Sequence, residues 1–126
     1  MHELAIAQAI LAQADSIAQA HQASRVSRIT LRVGPLAGVE PHMLRAAFPF
    51  AAAGTRCEGA WLHIEATDVR VECRSCGAAS GAKPNRLICA ACGDWRVALL
   101  SGDEMRIDSL EIADPDSSKT TSIAHV

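Results

Sequence analysis

The chain has 126 residues, 49% of them hydrophobic and only 3% aromatic, with a formal net charge of -2. That length suits one compact domain, or a small domain with a metal-stapled insert, and much of the apolar share is alanine, so the core is light. With no block of Lys or Arg, the chain lacks the electrostatic footprint of a protein that grips nucleic acid or an anionic membrane.

Leu4 to Ala20 is apolar enough to compare with a secretory leader, but it opens with Glu3 and is broken by Gln8, Gln13, Asp15 and Ser16. No apolar run approaches membrane-spanning length. The expected location is therefore the cytoplasm, with no membrane insertion. In that reducing compartment paired cysteines more often bind metal than form disulfides.

Residues 3 to about 21 read as an amphipathic helix, with Ile6, Ile10 and Ile17 on one side and Gln8, Asp15, Gln19 and Gln22 on the other. Glu3 in its first turn suits the positive end of the helix dipole. From Arg25 to Val33 the period changes to two, with Ile29, Leu31 and Val33 facing one way, as in a half-buried strand. Gly34-Pro35 ends it. A second helix starts at Pro41 with Met43, Leu44, Ala47 and Phe48 as its apolar side; Pro49 predicts a kink or early stop, and Gly54 the final terminator. Trp61 to Ala66 is the next strand, its inward set being Leu62, Ile64 and Ala66.

Val69 to Glu72 leads into the first cysteine pair, and Trp95 to Leu100 leaves the second, so the pairs cap a hairpin-like insert. Met105 to Ile112 is a long strand whose alternation slips near Asp108-Ser109, which a bulge would explain. The tail, residues 114–126, is polar and aperiodic and is expected to be disordered. The expected class is α+β: a three-stranded sheet covered by two helices, with an inserted four-cysteine zinc-ribbon module. The expected division is 1–68 plus 103–113 for the α+β domain and 69–102 for the zinc-binding domain.

Cys73-Arg-Ser-Cys76-Gly77 and Cys89-Ala-Ala-Cys92-Gly93, with twelve residues between Cys76 and Cys89, form a specific pattern. Two residues between paired thiolates let a tight knuckle turn both sulfurs toward one ion, and a glycine after each pair permits the backbone this requires. Four thiolates close a tetrahedron, so the site is structural Zn(II) rather than a catalytic centre, although the same ligands accept iron as in rubredoxin. Disulfides or a thioredoxin-like redox pair do not account for two glycine-terminated knuckles. Cys57 lies outside the pattern and reads as a small, semi-buried hydrophobe.

At the other end, Met1-His2-Glu3 is chemically unusual if the chain end is free. The imidazole of His2, nearby main-chain nitrogens and the terminal amine can converge on one ion, a nitrogen-rich set that suits Ni(II) or Cu(II). Amides at a helix start have no intrahelical acceptor, so engaging those of His2 and Glu3 breaks no helix hydrogen bond. Taken alone, a histidine at position two is also compatible with a merely solvated side chain.

The opening Met1-His2-Glu3-Leu4, the strand end Val33-Gly34, Glu40 before the second helix, the two cysteine knuckles, and the closing Gly102-Asp103-Glu104-Met105-Arg106-Ile107 with Leu110-Glu111-Ile112 resemble the HypA/HybF family. The match runs from Met1 to about Ala113. What the resemblance implies is a nickel metallochaperone of hydrogenase maturation, not an enzyme, that carries Ni(II) as transient cargo to the NiFe-hydrogenase large subunit and works with a partner GTPase, HypB. It puts the nickel ligands on His2 and Glu3, the zinc ligands on Cys73, Cys76, Cys89 and Cys92, and an accessory acidic position on Glu40. Glutamate stands there where the family often has aspartate, and Pro49 within the second helix is atypical.

The rival reading is a nucleic-acid-binding zinc ribbon, which Arg70, Arg74, Lys83, Arg86 and Arg96 would serve. Few aromatics and overall acidity weigh against it, and no nucleic-acid partner is expected. An enzyme finds no support in any catalytic motif, and His21, His42, His63 and His125 show no ligand or triad spacing.

Overall fold

A computed structural model describes residues 2–113 and 120–124. In chain order the elements are α1 (His2–Ala20), β1 (Arg25–Val33), α2 (Pro41–Ala52), β2 (Trp61–Ala66), β3 (Arg70–Cys73), β4 (Ala79–Gly81), β5 (Val97–Ser101), β6 (Met105–Ala113) and β7 (Thr120–Ala124). They form a four-stranded sheet in the order β2-β1-β6-β7 and a three-stranded sheet in the order β4-β3-β5. The α+β class with two helices and a four-cysteine module is the one expected.

The chain divides into two compact units, one of Met1–Leu31, Glu40–Ile64 and Arg106–Val126, the other of Arg32–Val39 and Glu65–Met105. The second unit is wider than the 69–102 suggested by the cysteine spacing. It takes in the turn after β1 because Gly34 and Leu36 donate backbone hydrogen bonds to Glu104 and Gly102, at 2.8 and 2.7 Å.

In the first unit the buried stripe of α1 is Glu3, Ala7, Ile10, Leu11, Ala14 and Ala18. It is rotated from the isoleucine side expected from periodicity, and Ile6 and Ile17 are only half-buried. Alanines with no exposed surface leave room for a second helix to approach closely, and α2 answers with Leu44, Phe48 and Ala52. Ile29 and Leu31 of β1 and Ile107, Leu110 and Ile112 of β6 complete this core. Of the aromatic residues only Phe48 is buried; Phe50, Trp61 and Trp95 are exposed.

The α2 start follows its chemistry: Glu40 is the N-cap, its Oε1 accepting from His42 N at 3.1 Å, with Pro41 in the first turn. The helix does not stop at Pro49 but runs through it to Ala52. Pro49 removes one amide three residues before the helix end and is itself exposed, so water can satisfy the carbonyl it leaves. Gly54 then takes φ +78° and terminates the turn as expected.

The described part of the tail departs from the expected disorder. Thr120–Ala124 pairs antiparallel with β6, from Ala113↔Thr120 to Ser109↔Ala124. The strand covers an edge of β6 whose amides and carbonyls would otherwise lack sheet partners. Residues 114–119 and 125–126 lie outside the described residues, so the expectation for them has no counterpart there. In β6 the burial alternation slips between Ile107 and Leu110, at the position the sequence pattern marked.

Candidate metal centres

The first centre is built by two turns of nearly identical construction. β3 ends in Cys73, and the chain reverses so that Gly77 N donates to Cys73 O at 2.9 Å with Gly77 at φ +75°. Sixteen residues later Gly93 N donates to Cys89 O at 2.8 Å with Gly93 at φ +78°. In the first knuckle Ser75 N and Cys76 N point at Cys73 Sγ, both at 3.4 Å; in the second, Ala91 N and Cys92 N point at Cys89 Sγ, at 3.3 and 3.4 Å. Each first cysteine is buried and each second one exposed.

The four Sγ atoms lie within 4.8 Å of one another, the one such metal-ligating group among the described residues. Cys73 to Cys92 and Cys76 to Cys89 are each 3.6 Å, far beyond a disulfide bond. A tetrahedral Zn(II) with Zn–S of about 2.3 Å needs sulfurs about 3.8 Å apart, so the residues fit a closed four-thiolate site. The amides aimed at Cys89 Sγ draw its thiol down to about 6, from an ordinary 9.0, against the opposing effect of burial. Cys73 is likewise lowered, first by the Cys76 amide. Cys92 rises to about 12 although the Asp94 amide pulls the other way, because its neighbours Cys73 and Cys89 resist a further negative charge. A bound dication removes that conflict, which is why the set suits a metal better than four separate thiols.

Asp94 braces the second knuckle. Its carboxylate accepts from the Ser75 hydroxyl of the first knuckle and from Arg96, whose Nη2 is 3.1 Å from Oδ2. The Ser75 bond and then Arg96 hold the Asp94 carboxyl well below the ordinary range. Sequence reading singled out neither Ser75 nor Asp94; both sit one or two residues from a cysteine, the only local hint.

The second candidate lies at the start of α1. His2 is exposed and Glu3 almost fully buried, yet His2 Nε2 is 3.0 Å from Glu3 Oε2. The same oxygen accepts from Glu40 N at 3.5 Å, which brings His2, Glu3 and the α2 cap into one neighbourhood. Burial would raise the Glu3 carboxyl, but the Glu3 and Glu40 amides, with His2 beside it, outweigh that and leave it lowered. The Glu40 carboxylate itself is engaged in capping α2.

Cys57 stands apart from both centres and is buried, its thiol pushed up to about 11 by burial. Lys83 and Arg86 border an open cavity of about 470 Å³ with Val69 and Ile88, while Arg96 is engaged with Asp94. No helix among the described residues is long and apolar enough to cross a membrane.

A two-helix α+β unit whose first helix begins at His2, in a chain that also carries a four-cysteine knuckle module able to hold a metal ion, defines a small metal-binding protein. Residues 1–112 match the family model described as hydrogenase/urease nickel incorporation, metallochaperone, hypA. The chain is 43% identical to the hydrogenase maturation factor HypA of Nitrosospira multiformis over 112 residues, 89% of this chain and 97% of that protein. It is 40% identical to HypA of Chlorobium limicola over 116 residues, 92% of this chain and the whole of that one. The solution structure of the Ni metallochaperone HypA from Helicobacter pylori superposes with a TM-score of 0.68 at 26% identity, over 90% of this chain and 99% of that one. The chain belongs to the HypA family of hydrogenase maturation metallochaperones.

Proposed function

We propose that this chain receives Ni(II) at its N-terminus through His2 and main-chain nitrogens of His2 and Glu3, and passes it toward the NiFe-hydrogenase large subunit. A HypB-type GTPase is the proposed partner in that transfer, the cytoplasm its location, and Zn(II) on Cys73, Cys76, Cys89 and Cys92 the structural metal.

The observation that carries this reading is the contact of His2 Nε2 with the buried Glu3 Oε2. When Nε2–H donates to that carboxylate, Nδ1 carries the lone pair, and Nδ1 is the ring nitrogen nearer the main chain. It forms a compact chelate with the His2 amide, at a helix start where no helix bond must be given up. The bracing by Glu3 orients the ring, while exposure of His2 leaves the cargo exchangeable, as delivery requires. The closed thiolate set has no open position for such an exchange.

His2→Ala is expected to abolish nickel binding by calorimetry while leaving one zinc per chain and the fold intact. Unchanged nickel affinity would overturn the assignment. Extending the N-terminus with a tag is expected to weaken nickel binding, because the donors gather at the chain end; equal affinity with and without the tag would remove the terminal nitrogens from the site.

A further inference from the structure

β6 carries an unusual internal symmetry. Along its length Ile107 and Leu110 are both buried and Asp108 and Ser109 between them are both half-buried, while outside them Arg106 is exposed and Glu111 half-buried. The slip in alternation places two buried aliphatic residues at equal distances from the Asp108-Ser109 centre, with one basic and one acidic residue next beyond them. A second β6 laid antiparallel on that centre would set Ile107 opposite Leu110, core side against core side, and Arg106 opposite Glu111, cation against anion, twice over by the two-fold axis. A long strand with three buried aliphatic residues and a self-complementary charge pattern is a template for pairing with its own copy.

In this chain that edge is already taken. β7 occupies it through five paired positions, with Ile123 set opposite Leu110 where the second copy's Ile107 would stand. The family match ends at residue 112, so β7 belongs to an extension beyond it. Only six residues separate Ala113 from Thr120 in the sequence, and β7 pairs with β6 of its own chain. We propose that Thr120–Ala124 is an edge guard: it keeps the chain monomeric by filling the site at which a second copy would pair through β6 in the Arg106–Glu111 register. This is independent of where nickel binds.

The test is sedimentation velocity over a concentration series, comparing the full chain with a chain ending at Ala113, a length at which the Nitrosospira relative is almost completely matched. The full chain is expected to remain monomeric and the shortened chain to form a discrete dimer. In the full chain, Thr121→Pro with Ser122→Pro should have the same effect, since one of two consecutive amides must face β6. Within the shortened chain, Arg106→Glu is expected to weaken the dimer at least tenfold by opposing like charges, and Arg106→Glu with Glu111→Arg to restore it. A monomeric shortened chain, unbounded aggregation in place of a dimer, or an equally dimeric full chain would overturn the guard. A dimer indifferent to both charge variants would overturn the pairing register.

Discussion

Gly34 is a position where one methyl group decides the local fold. A Cβ built there would stand 2.1 Å from Gly102 O, an oxygen already accepting from Leu36 N at 2.7 Å. Gly102 in turn holds φ +118°, a conformation side chains strain to adopt. Gly34→Ala is therefore expected to cost about 3 kcal/mol in urea unfolding, because the obstacle is backbone and cannot rotate aside. An unchanged midpoint would mean the turn repacks freely. Cys57 makes a different residue-scale case. Burial first, and Asp15 second, push its thiol from 9.0 to about 11, with Arg56 and Thr55 opposing. The folded chain thus holds this proton more tightly than the unfolded chain, so the stabilisation is complete below pH 9 and is lost as pH rises through 11. Replacing Cys57 with Ala should remove that particular high-pH decline, seen as a difference between the two stability curves. Parallel curves from pH 8 to 11 would contradict it.

At the scale of elements, α2 depends on its cap. Glu40 Oε1 takes the His42 amide, and losing it in Glu40→Ala should cost about 1 kcal/mol of stability, whereas Glu40→Asn, an equally good cap, should cost little. Because Asn keeps the cap and drops the charge, it also separates capping from any electrostatic role beside Glu3: nickel affinity lowered in both variants points to charge, lowered only in Ala to helix position. Elements whose instructions are local were legible in the sequence. β1 and β2 fall on the residues where period-two patterning put them, and the cysteine knuckles could be read because each is a five-residue turn with its own glycine. What could not be read depends on distant partners. Nothing in Ala79–Gly81 or Thr120–Ala124 states that β3 or β6 offers an edge. The α1 stripe settled on alanines because α2 lies against it, and periodicity rewarded the bulkier isoleucines instead. The approach of Glu40 to Glu3 joins residues 37 positions apart and was legible only through family resemblance.

The whole chain combines two units that hold together by different means. The first buries long aliphatic side chains from two helices and a sheet, whereas the second has little beyond Val33, Val69, Val71 and the buried cysteines as its interior. So small a core does not offset the entropy of ordering its loops, and a four-thiolate metal, contributing about 10–16 kcal/mol in comparable modules, would supply most of the difference. Chelation at neutral pH should therefore unfold the second unit selectively. Trypsin gives a readout by position: Arg74, Arg86 and Arg96 lie in the second unit, while Arg25, Arg28 and Arg45 lie in β1 and α2 of the first. With metal bound all six should resist. After chelation cleavage is expected at Arg74, Arg86 and Arg96 while the helical circular dichroism persists, and Zn(II) added before protease should restore protection. Cleavage at all six sites at one rate would show that the metal stabilises the chain as a single cooperative unit, and no cleavage at all that the second unit stands without it.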